Sequence, residues 1–158
     1  MIPINQNRYK GGFEMAFEEE SLRGRIALGW VINLLLVIVG LLFNTIYSIL
    51  MDDSFRSLRV DPGLPGLKLL TYVIAFYALM PLYVHLVHGL GIRLFRWLSV
   101  AFASLAFVFF FLHHLSHWRI GQRPDLTSNV FDLTLHIVGL WVIVNSIKWA
   151  RFPRRGTE

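Results

Sequence analysis

The sequence predicts an all-α integral membrane protein, a four-helix bundle of up-down-up-down topology with short loops. Three observations predict it. Of the 158 residues, 55% are hydrophobic and only 16% are charged, against about 25% charged in an ordinary soluble domain. Four apolar stretches each reach the ~20 residues that a spanning helix needs. The basic residues gather on one side of those stretches. This composition excludes a disordered chain, a nucleic-acid-binding tail and an ordinary soluble enzyme. The chain has no cysteine, which also excludes disulfides, thiolate chemistry and Cys-ligated zinc or iron–sulfur centres.

The elements follow in chain order. Residues 1–25 form an N-terminal arm in which Phe13, Met15, Phe17 and Leu22 alternate with glutamates and arginines. That mixture suits a helix lying on the membrane surface, or a solvated arm that docks on a partner. The first span runs from Ile26 to Met51. Its apolar run far exceeds the ~7–15 residues of a cleavable signal, so it is expected to be retained. The loop from Asp52 to Gly66 carries Asp61-Pro62-Gly63-Leu64-Pro65-Gly66, a turn-rich and non-helical link. The second span runs from about Leu67 to Leu90 and the third from Trp97 to Trp118. The short link from Gly91 to Arg96 makes these two expected antiparallel neighbours. A second short link, Arg119 to Ser128, gives the same expectation for the third span and the fourth, Asn129 to Ala150. The transmembrane domain is thus 26–150. The basic tail 151–158 reads as a stop-and-anchor signal.

Loop charge sets the expected orientation. Arg8, Lys10, Arg23, Arg25, Arg93, Arg96, Lys148, Arg151, Arg154 and Arg155 fall on one side, and Arg56, Arg59, Lys68, Arg119 and Arg123 on the other. The positive-inside rule puts both termini in the cytoplasm, in a bacterial inner membrane. The high isoelectric point, about 10.0, is then mostly a topology signal, with attraction to anionic lipid as the weaker alternative. Trp30, Trp97 and Trp149 fall near the cytoplasmic boundary and Trp118 near the outer one, as suits an indole. Trp141 lies mid-span and reads as a packing residue.

Polar side chains inside a bilayer are costly unless they face other helices or a cavity. Small and polar residues recur at helical spacing in all four spans. The stripes are Asn33-Val37-Gly40-Asn44-Tyr47, Thr71-Ala75-Ala78-Leu82-His85-Gly89, Ser99-Ala103-Ala106-Phe110-His113-His117 and Asp132-His136-Gly139-Ile143-Ser146. Each is expected to face the bundle interior, with Ser99, Ala103 and Gly139 allowing close helix approach.

Six histidines in so small a membrane chain call for a reason. His113-x-x-x-His117 and Asp132-x-x-x-His136 are both spaced i,i+4, which sets each pair on one helix face. With the two helices antiparallel, His117 and Asp132 share a shallow depth at the outer end, and His113 and His136 lie ~6 Å deeper. His113, His117 and His136 with Asp132 are therefore candidate ligands for a Zn, Fe, Mn or Cu ion. His113 with His136 is the rival pair for a b-type haem. His114, Asp52 and Asp53 would stand behind the ligands or form an acidic entry. His85, His88, Asn33 and Asn44 would make an inner site or a proton path. The bland alternatives are local hydrogen bonds, and a helix-start role for Asn129 and Asp132.

Three functional expectations follow. The chain is a subunit of a larger membrane complex whose outer cluster binds a metal ion or haem. Or it is a non-catalytic accessory subunit. Or it is a small oligomeric channel or transporter. The expected partners are the lipid bilayer and other membrane subunits or further copies of the chain, not nucleic acid.

Overall fold

The computed structural model describes residues 6–51, 65–88, 92–119 and 126–153, with side chains described for 14–40, 42, 71–87, 92–115 and 130–153. These residues form four α-helices and, among the described residues, no strand: α1 (Gln6–Met51), α2 (Pro65–His88), α3 (Arg93–Arg119) and α4 (Leu126–Arg151). All-helical structure is what an apolar chain in lipid demands, because each backbone N–H and C=O must be satisfied within its own segment. Stretches of α1 (Glu14–Gly40), α3 (Arg93–Leu115) and α4 (Val130–Arg151) are long and apolar enough to cross a membrane, and the described apolar part of α2, Thr71–Val87, is shorter.

α1 is the largest departure from the sequence reading. It holds 46 residues in one helix, about 69 Å at ~1.5 Å per residue. The arm does not break from the first span before Ile26. It continues the span as an uninterrupted extension, and Glu19, Leu22 and Ile26 are buried on it. α2 starts on Pro65, a residue pre-set for the first helical position. It also contains Pro81, which cannot donate the bond to the Tyr77 carbonyl, yet the helix runs on to His88.

α1 is the central helix, packed along both α2 and α4, and α4 packs in turn along α3. The third and fourth helices are neighbours, as their short link predicts. The second and third make little direct backbone contact. Aromatic side chains bridge them instead: the Phe76 and Tyr83 rings meet Phe102 edge-on at 6.0 and 5.5 Å, and Tyr77 meets Phe110 at 5.8 Å. The Tyr83 hydroxyl also donates to the Phe95 carbonyl at 2.7 Å. A short link thus holds α2 and α3 within ring-to-ring reach but not in close packing.

The core joins Leu22, Ile26, Trp30, Tyr77, Met80, Val84, Val87, Ala103, Ala106, Val142 and Trp149. Trp30 and Trp149 are buried, so they are packing residues rather than the boundary anchors the sequence suggests. Trp30 meets the edges of Phe76 and Tyr77 at 5.7 and 5.1 Å. Trp141, expected to pack, lies with its ring against Gly29 of α1 while remaining 37% exposed.

The interior stripes hold in part on three helices, although Gly40 on α1 meets open space and His113 on α3 is exposed. Asn33 is buried on α1, Ser99, Ala103 and Ala106 on α3, and Ser146 on α4. Ser99 and Ser146 meet across the α3–α4 contact with their hydroxyls 3.3 Å apart. Gly139 lies under the Phe107 ring, whose edge would be 3.2 Å from an added Cβ. On α2 the expectation fails. Thr71, Ala75, Ala78, Leu82 and His85 are all exposed, and the buried face is Tyr77, Met80, Val84 and Val87. The physical reason is that lipid gives large apolar side chains no penalty for facing inward or outward, so contact area decides. Rings and long side chains fill the wide space beside α1 better than alanines do.

Candidate functional site

Three polar features stand out in the bundle. The first joins α3 to α4 through His114, Asp132 and His136. His114 Nε2 lies 2.8 Å from Asp132 Oδ1. One helical turn on, His136 Nδ1 lies 2.6 Å from the Asp132 backbone oxygen. A carbonyl only accepts, so Nδ1 carries the hydrogen, and in a neutral ring Nε2 is left as an acceptor. The His136 ring sits 5.1 Å from His114 and meets Phe107 edge-on at 5.3 Å.

This arrangement corrects the sequence reading at one position. His113, expected on the inner face, is exposed, and His114, expected behind the ligands, is the residue that reaches Asp132. At ~100° per residue the two lie about equally far, roughly 50°, from the mean direction of Ser99, Ala103, Ala106 and Phe110. Periodicity therefore does not choose between them, and the carboxylate on α4 does.

His136 Nε2 opens the second feature. It lines a cavity of about 10 Å³ together with Trp30, Asn33, Tyr77, Phe107 and Gly139. Trp30 Nε1, Asn33 Oδ1 and His136 Nε2 are buried and have no hydrogen-bond partner among the described residues. The set comprises one donor and two acceptors around a space of about one water molecule. α1 supplies two of the atoms and α4 the third. Sequence periodicity finds Asn33 and His136 but not Trp30, which it assigns to the membrane boundary.

Among the described residues no three His, Asp or Glu side chains are placed to hold a metal ion. His113 and His136, the pair expected for a haem, are on different footings, one exposed and the other turned to a backbone oxygen. The cavity at His136 is far too small for a macrocycle. His88, His117, Asn44, Asp52 and Asp53 lie outside the described side chains. His85 is exposed on α2, away from the cavity.

A third cluster was missed by the sequence reading. At the other end of the bundle Arg96 Nη2 donates to Glu19 Oε1 at 2.6 Å. Arg96 Nη1 reaches the carbonyl oxygens of Trp149 and Phe152 at 3.4 and 3.3 Å. The guanidinium lies 5.6 Å from the centre of the Trp149 ring, whose Nε1 also donates to Glu19 at 3.3 Å. One arginine thus caps the last carbonyls of α4 and ties α1, α3 and α4 together. The sequence signal was available: a glutamate and an arginine near the same predicted boundary. Counting Arg96 only as a topology charge concealed it.

Comparison with known proteins finds no family model, no curated protein and no solved structure that matches this chain. The functional reading therefore rests on the chain's own residues.

Proposed function

We propose that the chain is a small integral membrane subunit that works inside a larger assembly, of other subunits or of further copies of itself. In this reading both termini lie on the cytoplasmic side of a bacterial inner membrane, as the distribution of basic residues favours. The observation that carries the reading is the outward face of α2. Thr71, Ala75, Ala78 and His85 are all exposed on it. Small residues at helical spacing let another helix approach closely, and an ionisable side chain within a span ordinarily faces protein rather than lipid tails. A neighbouring helix lying on this face satisfies both. Native mass spectrometry from a mild detergent tests it. The expected species is heavier than the 18.3 kDa chain, and Ala75→Phe with Ala78→Phe returns the chain to a monomer of unchanged helicity. A wild-type chain that is monomeric in that measurement, and that gives no cross-linked product in membranes, overturns the proposal.

A second reading is favoured by one specific observation. His136 Nε2 and Asn33 Oδ1 face the same buried cavity, and His136 stands beside the His114–Asp132 pair. Imidazoles and a carboxylate in contact are the groups from which proton relays are built. Proton flux into liposomes carrying the protein tests it. Flux lowered by both His136→Ala and Asn33→Leu supports a relay, and flux that neither change alters removes it.

A further inference from the structure

Beside the Glu19–Arg96 junction, α1 and the end of α4 flank an open groove of about 550 Å³. Arg25, Lys148 and Arg151 line it, with Glu18, Leu22 and Phe152. The three basic side chains are exposed, and none is paired with a carboxylate among the described residues. We propose that this groove binds the headgroup of an anionic phospholipid, its phosphate held by Arg25, Lys148 and Arg151.

Depth, charge and shape support one occupant. The groove lies where the apolar run of α1 begins, at Ile26, and where that of α4 ends, at Ala150. That is the level of headgroups if these helices span a bilayer. Three cations face a single carboxylate, Glu18, which leaves an excess of positive charge for a phosphate. Basic pockets between spanning helices on the cytoplasmic side are a common form of lipid site. Two arginines among the three add planar, paired donors that match phosphate oxygens. Leu22 and Phe152 supply apolar wall where the glycerol and upper acyl carbons of a lipid would lie. A helix C-terminus would ordinarily repel an anion through its free carbonyls. Here Arg96 already takes the Trp149 and Phe152 oxygens, which reduces that repulsion.

The site deepens the membrane-subunit reading only in requiring a bilayer; it does not depend on any partner chain. The full-length chain in a zwitterionic detergent is titrated with phosphatidylglycerol, with phosphatidylcholine and with soluble glycerol 1-phosphate, and thermal unfolding is followed. Phosphatidylglycerol is expected to raise the melting temperature, and the other two are expected to do so far less. Each removed charge is expected to weaken apparent binding about fivefold, so Arg25→Gln with Lys148→Gln and Arg151→Gln weakens it by roughly a hundredfold. Arg151→Lys keeps the charge and is expected to weaken binding less than Arg151→Gln. Arg93→Gln, an exposed basic residue of α3 outside the groove, leaves it unchanged. An equal effect of phosphatidylglycerol on the wild type and the triple variant overturns the proposal. So does an equal effect of the two lipids, or of glycerol 1-phosphate and phosphatidylglycerol.

Discussion

The Arg96 guanidinium donates to the Glu19 carboxylate at 2.6 Å, across 77 residues of sequence. Both side chains are about nine-tenths buried. A buried pair of this kind adds little over an apolar replacement, but removing one partner strands a charge. Glu19→Ala is therefore expected to cost roughly 3–5 kcal/mol, since it leaves the buried Arg96 with carbonyl oxygens and the Trp149 ring but no carboxylate. Glu19→Leu with Arg96→Met is expected to cost much less than the two single changes added together. Denaturant unfolding in detergent micelles, run as a double-mutant cycle, measures the difference. Additive losses would mean that the two groups do not act as a pair.

His114 and His113 are adjacent in sequence and opposite in consequence. His114→Ala removes the Nε2 contact to Asp132 and is expected to cost about 1.5–3 kcal/mol, the range for a hydrogen bond to a charged group. Asp132 keeps a third of its side-chain exposure, so the lower end is the better expectation. His113→Ala, at an exposed position, is expected to cost less than His114→Ala. The same unfolding assay compares them, and a larger loss at position 113 would reverse the assignment of the inner face.

Much of the fold was legible in the sequence because its signals were of the kind lipid enforces. Apolar runs of spanning length mark α2, α3 and α4 to within a few residues and α1 at its end but not its start, and Ser99, Ala103, Gly139 and Ser146 mark the α3–α4 contact through their size. What failed had a common cause. On α2 smallness was read as inwardness, yet with no water to escape, Ala75 gains nothing by burial and Tyr77 gains ring contacts. At His113 and His114 the helical period gave no preference, and only the position of Asp132 decides. The continuity of α1 was hidden because charged residues before Ile26 look like a boundary, although Met15, Ala16, Glu18, Glu19 and Glu20 are good helix formers that carry the helix across it. Trp30 was assigned to the interface from depth alone, and its edge contacts with Phe76 and Tyr77 depend on which helices are neighbours.

Gly29 and Gly40 separate close packing from open surface on one helix. A Cβ at Gly29 would run into the Val142 Cγ2 methyl and stand 3.1 Å from the Trp141 ring, while one at Gly40 meets nothing within 4 Å. Gly29→Ala is expected to destabilise by about 1–3 kcal/mol through overpacking against α4. Gly40→Ala is expected to be neutral or to stabilise by up to ~1 kcal/mol, the helix propensity of alanine over glycine. Melting temperatures of the two variants, moving in different directions from the wild type, check both.

The sign of one substitution reports on the buried cavity. Trp30 Nε1, Asn33 Oδ1 and His136 Nε2 are unpaired among the described residues around about 10 Å³. A water held there accepts from the indole and donates to the amide oxygen and the imidazole, satisfying all three atoms. Asn33→Leu changes the side chain's volume little and removes one of the water's acceptors. With the water bound in the wild type, the change is expected to cost about 1 kcal/mol, because the water loses one of its three hydrogen bonds while Trp30 and His136 keep theirs. Were Asn33 Oδ1 dry and unpaired, the same change would instead stabilise the protein by about 1–3 kcal/mol, by relieving a buried polar atom of its desolvation cost. Phe at position 136 removes a second acceptor and the bond to the Asp132 carbonyl together, so His136→Phe is expected to cost more than Asn33→Leu. Unfolding free energies of the two variants, measured in the same detergent, decide between a hydrated and a dry interior.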